Sequence, residues 1–277
     1  MPGRLTVCPT PIGNVEDISK RAQRALAEAD LVACEDTRRA GRLYERLEIK
    51  RPRLVSYHEQ NEAERARQLA AQIERGARVV LISDAGTPVI SDPGYRLVRT
   101  CIERALEVEV LPGPSAVTTA LVASGLPADR WRFEGFLPRR AGELERVLGS
   151  PETVVAFESP RRLPASLGAL AALAPDRPAA VCRELTKLHE EIVRGPLSEL
   201  ARRFRDDVKG EIVVVIAPAS GAAAAGGGTD VAFAVDALRR LVQSGARPRA
   251  AASVVAALTG TRANDLYRGL TGRDPRE

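Results

Sequence analysis

A chain of 277 residues is long enough for two domains of roughly 100–200 residues each. An apolar share of 44% allows real cores, and 41 basic residues against 36 acidic ones leave +5, which excludes an acidic disordered chain and keeps an anionic partner open. Cys8, Cys34, Cys101 and Cys182 stand far apart with no C-x-x-C pair, and only His58 and His189 are available, so no metal site or redox dithiol is expected.

Met1 to Cys8 lacks the basic stretch and apolar run of a signal peptide. The longest uncharged run, Ile212 to Thr229, is interrupted by Pro218, Gly221 and Gly226 to Gly228, so a soluble cytoplasmic protein is the expectation.

In chain order, strands are expected at Leu5–Cys8, Leu31–Cys34, Leu54–Ser56, Val79–Ile82 and Val108–Leu111, each followed by loop signals or a helix-length segment. Lys20–Ala29 and Asn61–Arg75 mix charges with Leu, Ala and Ile at helical spacing, as helices covering a sheet face do. The pattern is α/β with a largely parallel sheet covered on both faces. After Pro112-Gly113-Pro114-Ser115-Ala116 the alternation resumes at Trp131–Phe136, Val154–Phe157, Ala179–Arg183, Glu190–Val193 and Ile212–Ile216, with a hairpin-like pair around Arg183–Val193 that predicts a mixed sheet.

Ala219 to Gly228 reads as a flexible linker. Beyond it, Val231–Val242, Arg249–Leu258 and Asn264–Leu270 are predicted helices, the last two parted by Thr259-Gly260-Thr261 at helix-turn-helix spacing. This tail holds arginines at 239, 240, 247, 249, 262, 268, 273 and 276 against acids at 236, 265, 274 and 277, so it is either a nucleic-acid contact or a solvated helical hairpin. The expected domains are 1–114, 115–219, a linker at 220–229 and a basic helical tail at 230–277.

No G-x-G-x-x-G, Walker, H-E-x-x-H or G-x-S-x-G motif is present. Instead, loops at strand ends carry small residues, prolines and carboxylates: Thr10–Asn14, Glu35–Arg38, Ser83–Gly94 and Pro112–Ala116. Ligands bind where such loops converge beyond the carboxyl ends of parallel strands. Taken singly, each loop is equally a set of tight turns with capping side chains.

The segments TPIGNVEDIS (10–19), CEDTR (34–38), SYHEQNE (56–62), SDAGTPVISDPG (83–94), PGPSA (112–116), GFLP (135–138), FESPRR (157–162), RELTKLHEEIVRG (183–195) and GEIVVVIAP (210–218) together resemble the tetrapyrrole methylase superfamily. Within it they are most similar to the bacterial methyltransferases of small-subunit ribosomal RNA. The resemblance spans essentially the whole chain and implies two α/β domains with S-adenosylmethionine in the cleft between them, plus the small helical tail. It also implies 2′-O-methylation of a cytidine ribose in the decoding region of 16S rRNA, and a homodimer.

By motif position, the cofactor contacts so implied are Pro11, Ile12, Asp84, Ala85, Gly86, Thr87, Val89, Ile90, Ser91, Ser115 and Ala116, with Phe136, Leu137, Phe157, Ala217 and Pro218 from the second half. The chain departs from the superfamily's more widespread GDP loop by carrying Gly86-Thr87-Pro88, which leaves Asp84 as the acidic residue.

A ribose hydroxyl needs an acceptor for its proton or a cation beside the forming alkoxide. Asp36 with Arg38 either orients the nucleotide or caps a helix. His58, followed by Glu59, has a suitable ordinary pKa or is a structural loop histidine. Lys187 and Glu190 either serve phosphate and alkoxide or lie on a solvated face. Glu158 and Arg161 are further candidates. Phosphate contacts are expected from Arg139, Arg140, Arg161, Arg162 and the tail. The alternatives are carbon methylation of a corrin or porphyrin and a non-catalytic RNA-binding module.

Overall fold

The computed structural model describes residues 3–206, 208–219, 231–259 and 263–271. The expected linker at 220–229, the Gly260-Thr261 turn and Arg262, Arg273 and Arg276 lie outside the described residues.

The first sheet holds β1 (Arg4–Val7), β2 (Leu31–Cys34), β3 (Arg53–Ser56), β4 (Arg78–Leu81) and β5 (Glu107–Val110) in the order β3-β2-β4-β1-β5. Every neighbouring pair is parallel. Between the strands lie α1 (Lys20–Glu28), α2 (Thr37–Arg46), α3 (Glu62–Glu74) and α4 (Tyr95–Glu103). Ser19 accepts the Ala22 N–H and Asp36 accepts the Arg38 N–H, so α1 and α2 start where their side-chain caps stand.

Successive strand residues point to opposite faces, and both faces are packed. Leu5, Val7, Val79 and Leu81 join Leu69 and Ile73 of α3 and Leu97 of α4 in one core. Cys8, Val32, Val80 and Ile82 join Leu26 of α1 and Tyr44 of α2 in the other. Strands β1 and β4 are adjacent, yet the helices that follow them cover opposite faces. The loops after these two strands therefore part in opposite directions, and that is the topological switch point of the sheet.

The second sheet runs β6 (Trp131–Phe136), β7 (Thr153–Glu158), β10 (Ile212–Ile216), β8 (Pro178–Arg183), β9 (Glu191–Pro196) in spatial order, with β6 and β7 parallel. Strands β8 and β9 lie side by side, as the predicted hairpin-like pair requires. Helices α5 (Ala116–Ser124), α6 (Ala141–Leu148), α7 (Leu163–Leu173) and α8 (Leu197–Arg203) complete this half. The tail is α9 (Val231–Gln243), α10 (Pro248–Thr259) and α11 (Ala263–Thr271), which share a core around Ala234, Leu238, Val255 and Leu266.

The chain divides into two compact units. The first gathers Met1–Ala123 with Cys182–Ile192 and Gly210–Val213, and the second holds the rest of the described chain. The segment between β8 and β9 thus belongs with the first unit. No described helix is long and apolar enough to cross a membrane.

Candidate functional site

The two loops at the switch point are tied together. Thr10 and Gly86 exchange backbone hydrogen bonds at 2.9 and 3.0 Å, and the Thr10 hydroxyl donates to the Ser83 carbonyl at 3.3 Å. Gly86 sits at φ 78°, where an added Cβ would lie 3.3 Å from Ile12 Cγ2. The left-handed backbone and the tight approach of Ile12 both favour glycine at this crossing. Thr87 donates its hydroxyl to the Pro114 carbonyl at 3.1 Å, which brings the PGPSA turn to the same place.

Val89 and Ser91 also have positive φ, 77° and 61°. A β-branched residue in that region costs on the order of 1–3 kcal/mol, a strain the surrounding structure must hold. Gly94 presses the returning loop against Val89 and Leu81, since a Cβ there would come within 2.8 and 2.9 Å of their side chains. Ile90 and Ser91 are exposed at the tip, while Ile12 is buried beneath.

Asp84 faces the loop after β2. Its Oδ1 accepts the Asp36 N–H at 3.1 Å and its Oδ2 pairs with Arg39 at 3.3 Å. Asp36 in turn receives the Arg38 N–H, Nε and Nη2 at 2.8, 3.2 and 3.0 Å, which drives its pKa down to about 2. Asp36 and Arg38 are therefore interlocked at the start of α2.

Two carboxylates that the motif reading passed over complete this rim. Burial, with Glu35 and Asp84 nearby, pushes Asp92 up to about 6, against a smaller opposing bond from Ser83. Burial and Asp84 likewise raise Glu35. Both residues stand in the quoted motifs, but their clustering is a tertiary fact. Glu62 was also missed: its Oε1 accepts Gly94 N–H, Arg96 N–H and the Tyr57 hydroxyl at 3.0, 3.2 and 3.1 Å, so an α3 carboxylate caps α4.

His58 receives Asn61 Nδ2 on Nε2 at 3.1 Å, which assigns the neutral ring's proton to Nδ1. Glu59 beside it is exposed. The segment after β8 packs on the first loop: Thr186 Oγ1 accepts the Asn14 N–H at 3.0 Å, and Glu190 accepts the Thr186 N–H at 2.7 Å. Burial alone would depress the Lys187 ammonium, but Glu184 and Glu211, at 2.7 and 3.1 Å, outweigh it and hold its pKa above the ordinary value. Among the described residues no group of three or more His, Cys, Asp and Glu side chains is placed to hold a metal ion.

In the second unit, Phe157 meets Phe133 and Phe136 edge-on, with ring centroids at 5.0 and 5.8 Å. Phe136 is 57% exposed, so this cluster offers an apolar face, while Leu137 is buried with its N–H on the Phe157 carbonyl. Glu158 is sealed: Ser159 N–H, Ser166 hydroxyl and Arg162 lie at 2.6, 2.5 and 3.2 Å from its oxygens. Arg161, Arg139 and Arg140 are exposed, whereas Arg162 is half-buried and donates to the Leu137 carbonyl at 2.7 Å. Ala217 and Pro218 are buried at the end of β10, with Ala217 bonded to Pro178 and Arg177.

Residues 4–201 match the family model of the tetrapyrrole (corrin/porphyrin) methylases. A Mycobacterium bovis protein named ribosomal RNA small subunit methyltransferase I is 48% identical, covering 96% of this chain and 93% of its own. A Thermotoga maritima protein of the same name is 44% identical over 98% of its own length but only 77% of this chain. Among solved structures, a uroporphyrin-III C-methyltransferase from Thermus thermophilus complexed with S-adenyl homocysteine superposes with a TM-score of 0.55 at 22% identity, covering 78% of this chain and 97% of that one, and shares the fold.

Proposed function

The chain belongs to the tetrapyrrole methylases, in their branch of small-subunit ribosomal RNA methyltransferases, and from that premise we propose that it methylates the ribose 2′-oxygen of a cytidine in the decoding region of 16S rRNA with S-adenosylmethionine. Methylation of small-subunit rRNA with this cofactor rests on 48% identity over nearly the whole length of a so-named relative. The choice of nucleotide and oxygen rests on the motif resemblance. Superfamily relatives that methylate tetrapyrroles share the fold at 22% identity, which argues for architecture alone.

The observation that carries the reading is the Thr10–Gly86 crossing at the sheet's switch point, with Glu35, Asp84 and Asp92 beside it. A crossing whose floor glycine has a positive φ and leaves the backbone open, rimmed by carboxylates, fits a positively charged donor that must approach the backbone closely. When bound, the cofactor supplies a methyl carbon already activated by sulfonium sulfur.

The chain's own task is then alignment and proton handling. Pro11, Ile12, Asp84 to Thr87, Val89 to Ser91, Ser115 and Ala116 are the proposed holders from the first unit. Phe136, Leu137, Phe157, Ala217 and Pro218 are the proposed holders from the second. Asp92, with a pKa of about 6, is the rim carboxylate best matched to taking a proton near neutral pH, with Glu35 beside it. Lys187, whose ammonium gives two of its three N–H donors to Glu184 and Glu211, is the proposed cation for the forming alkoxide through the third. His58 can accept at Nε2 only by giving up the Asn61 bond. Asp36, Arg38, Glu158 and Glu190 are proposed as positioning residues, because their polar atoms are bound to neighbours.

The test is mass mapping of 16S rRNA nucleotides from cells with and without this protein. Loss of one cytidine ribose methyl group is expected. An unchanged map would remove the proposal, and calorimetry with S-adenosylmethionine separates an enzyme from a binding module.

A further inference from the structure

Along α2, facing the first residues of the edge strand β3, lies an open cavity of about 650 Å³ whose walls include Thr37, Arg38, Gly41, Glu45, Arg51 and Arg53. Three guanidinium groups there face one carboxylate. Arg38 spends its charge on Asp36, but neither Arg51 nor Arg53 meets a carboxylate among the described residues.

Gly41 stands inside the helix, where glycine costs roughly 0.5–1 kcal/mol relative to alanine. An added Cβ at Gly41 would lie 3.3 Å from Arg51 Nη1, so that guanidinium lies close over the helix at its glycine. Planar guanidinium forks beside a hydroxyl are the donor set that matches phosphate oxygens. From Thr37 to Glu45 the helix advances about 12 Å, and an open trough of that length suits a polymer backbone better than a single small anion.

The trough is also wired to the candidate site. Arg38 grips Asp36, whose N–H is held by Asp84 of the rim. We infer that this cavity docks backbone phosphate of the RNA substrate beside the nucleotide to be methylated, an inference that rests on the rRNA reading above.

The test measures binding of a labelled small-subunit rRNA fragment by fluorescence anisotropy over a series of salt concentrations, for the full chain, R51A/R53A and R51K/R53K. R51A/R53A should bind about tenfold more weakly near 0.1 M salt, with a salt slope shallower by about 1–2, while R51K/R53K keeps most of the slope. S-adenosylmethionine affinity, read by calorimetry, should be the same in all three. Unchanged RNA affinity and slope in R51A/R53A overturn the inference and leave the rRNA reading standing. Competition by inorganic phosphate at concentrations equal to those of the RNA would also overturn it, since the cavity would then be a small-anion site. A wild-type chain that binds S-adenosylmethionine but no RNA overturns both.

Discussion

The backbone N–H of Asp36 donates to Oδ1 of Asp84 at 3.1 Å, so the residue that caps α2 is itself held by the loop after β4. Asp84 also pairs with Arg39 one turn into the same helix. One partly buried carboxylate thereby fixes two strand-end loops relative to each other. Asp84→Ala should free the start of α2 and remove one rim charge, lowering S-adenosylmethionine affinity about tenfold, the scale of one charged hydrogen bond. Calorimetry reads it. Equal affinity in the variant would show that the rim is organised without Asp84.

Gly13 is a steric keystone. A Cβ there would come within 2.4 Å of Lys187 Cγ, 2.6 Å of Thr186 Oγ1 and 3.0 Å of the Leu185 carbonyl. Gly13→Ala should force the segment after β8 away from the first loop and destabilise the chain by about 1–3 kcal/mol through overpacking. Denaturant unfolding measures the loss. Faster proteolysis within residues 184–190 would locate it.

The rim predicts opposite pH behaviour for two of its members. Asp92 has a folded pKa of about 6, above the ordinary carboxylate value, so the folded state binds the extra proton and stability falls as pH rises from about 4 to about 6. Asp36, at about 2, works the other way: its contribution is present above the ordinary value and lost as pH falls toward 2. Asp92→Asn should therefore raise the melting temperature at pH 7 and flatten its dependence between pH 4 and 6. In the native chain a bound cation should favour ionised Asp92, so cofactor affinity should rise with pH across the same interval. A melting curve for Asp92→Asn that tracks the wild type at every pH would refute the assignment.

The ten described strands overlap the expected segments. β1, β2, β4, β7, β8 and β10 are largely apolar runs whose burial the residue types declare, whereas β3, β5, β6 and β9 mix charged or small residues and are only partly buried, so flanking turns mark them more than hydrophobicity does. The loop motifs at 10–14, 83–94 and 112–116 are likewise visible as runs of glycine, proline and short polar residues. Three features were not legible. β10 inserts between β7 and β8, a pairing that no local pattern encodes. Residues 184–190 join the first unit through Thr186 and Lys187 contacts with Gly13 and Asn14, more than 170 positions away in sequence. Glu62 caps α4 from another helix, and nothing in the neighbouring sequence marks it for that.

Glu158 makes a further case. It is buried with Arg162 and Ser166 and lies at the end of β7, so it ties α7 to that strand. Glu158→Ala would take the acceptor from the Ser159 N–H and the Ser166 hydroxyl and leave Arg162 with the Leu137 carbonyl, and should cost about 3 kcal/mol, whereas Glu158→Gln keeps one acceptor and should cost less. Thermal melting ranks the three proteins. A Glu158→Ala chain as stable as wild type but unable to methylate rRNA would instead make Glu158 part of the chemistry.

The helical tail carries less free positive charge than its arginine count suggests. Arg239 and Arg240 both pair with Asp236, and Arg268 pairs with Asp265. Of the described tail arginines, that leaves Arg247 and Arg249, both exposed, to meet phosphate. The Thermotoga maritima relative, matched over 98% of its own length, accounts for only 77% of this chain, so a protein of that name does without about a quarter of the length present here. Truncation before Ala222 should accordingly leave S-adenosylmethionine binding intact and weaken rRNA binding only a few-fold, with a salt slope shallower by about 2. Arg247→Ala with Arg249→Ala should reproduce most of that change. If the truncated chain instead lost RNA binding altogether while the double variant bound normally, the tail would act through its shape, and its paired arginines would have to be counted as solvated surface.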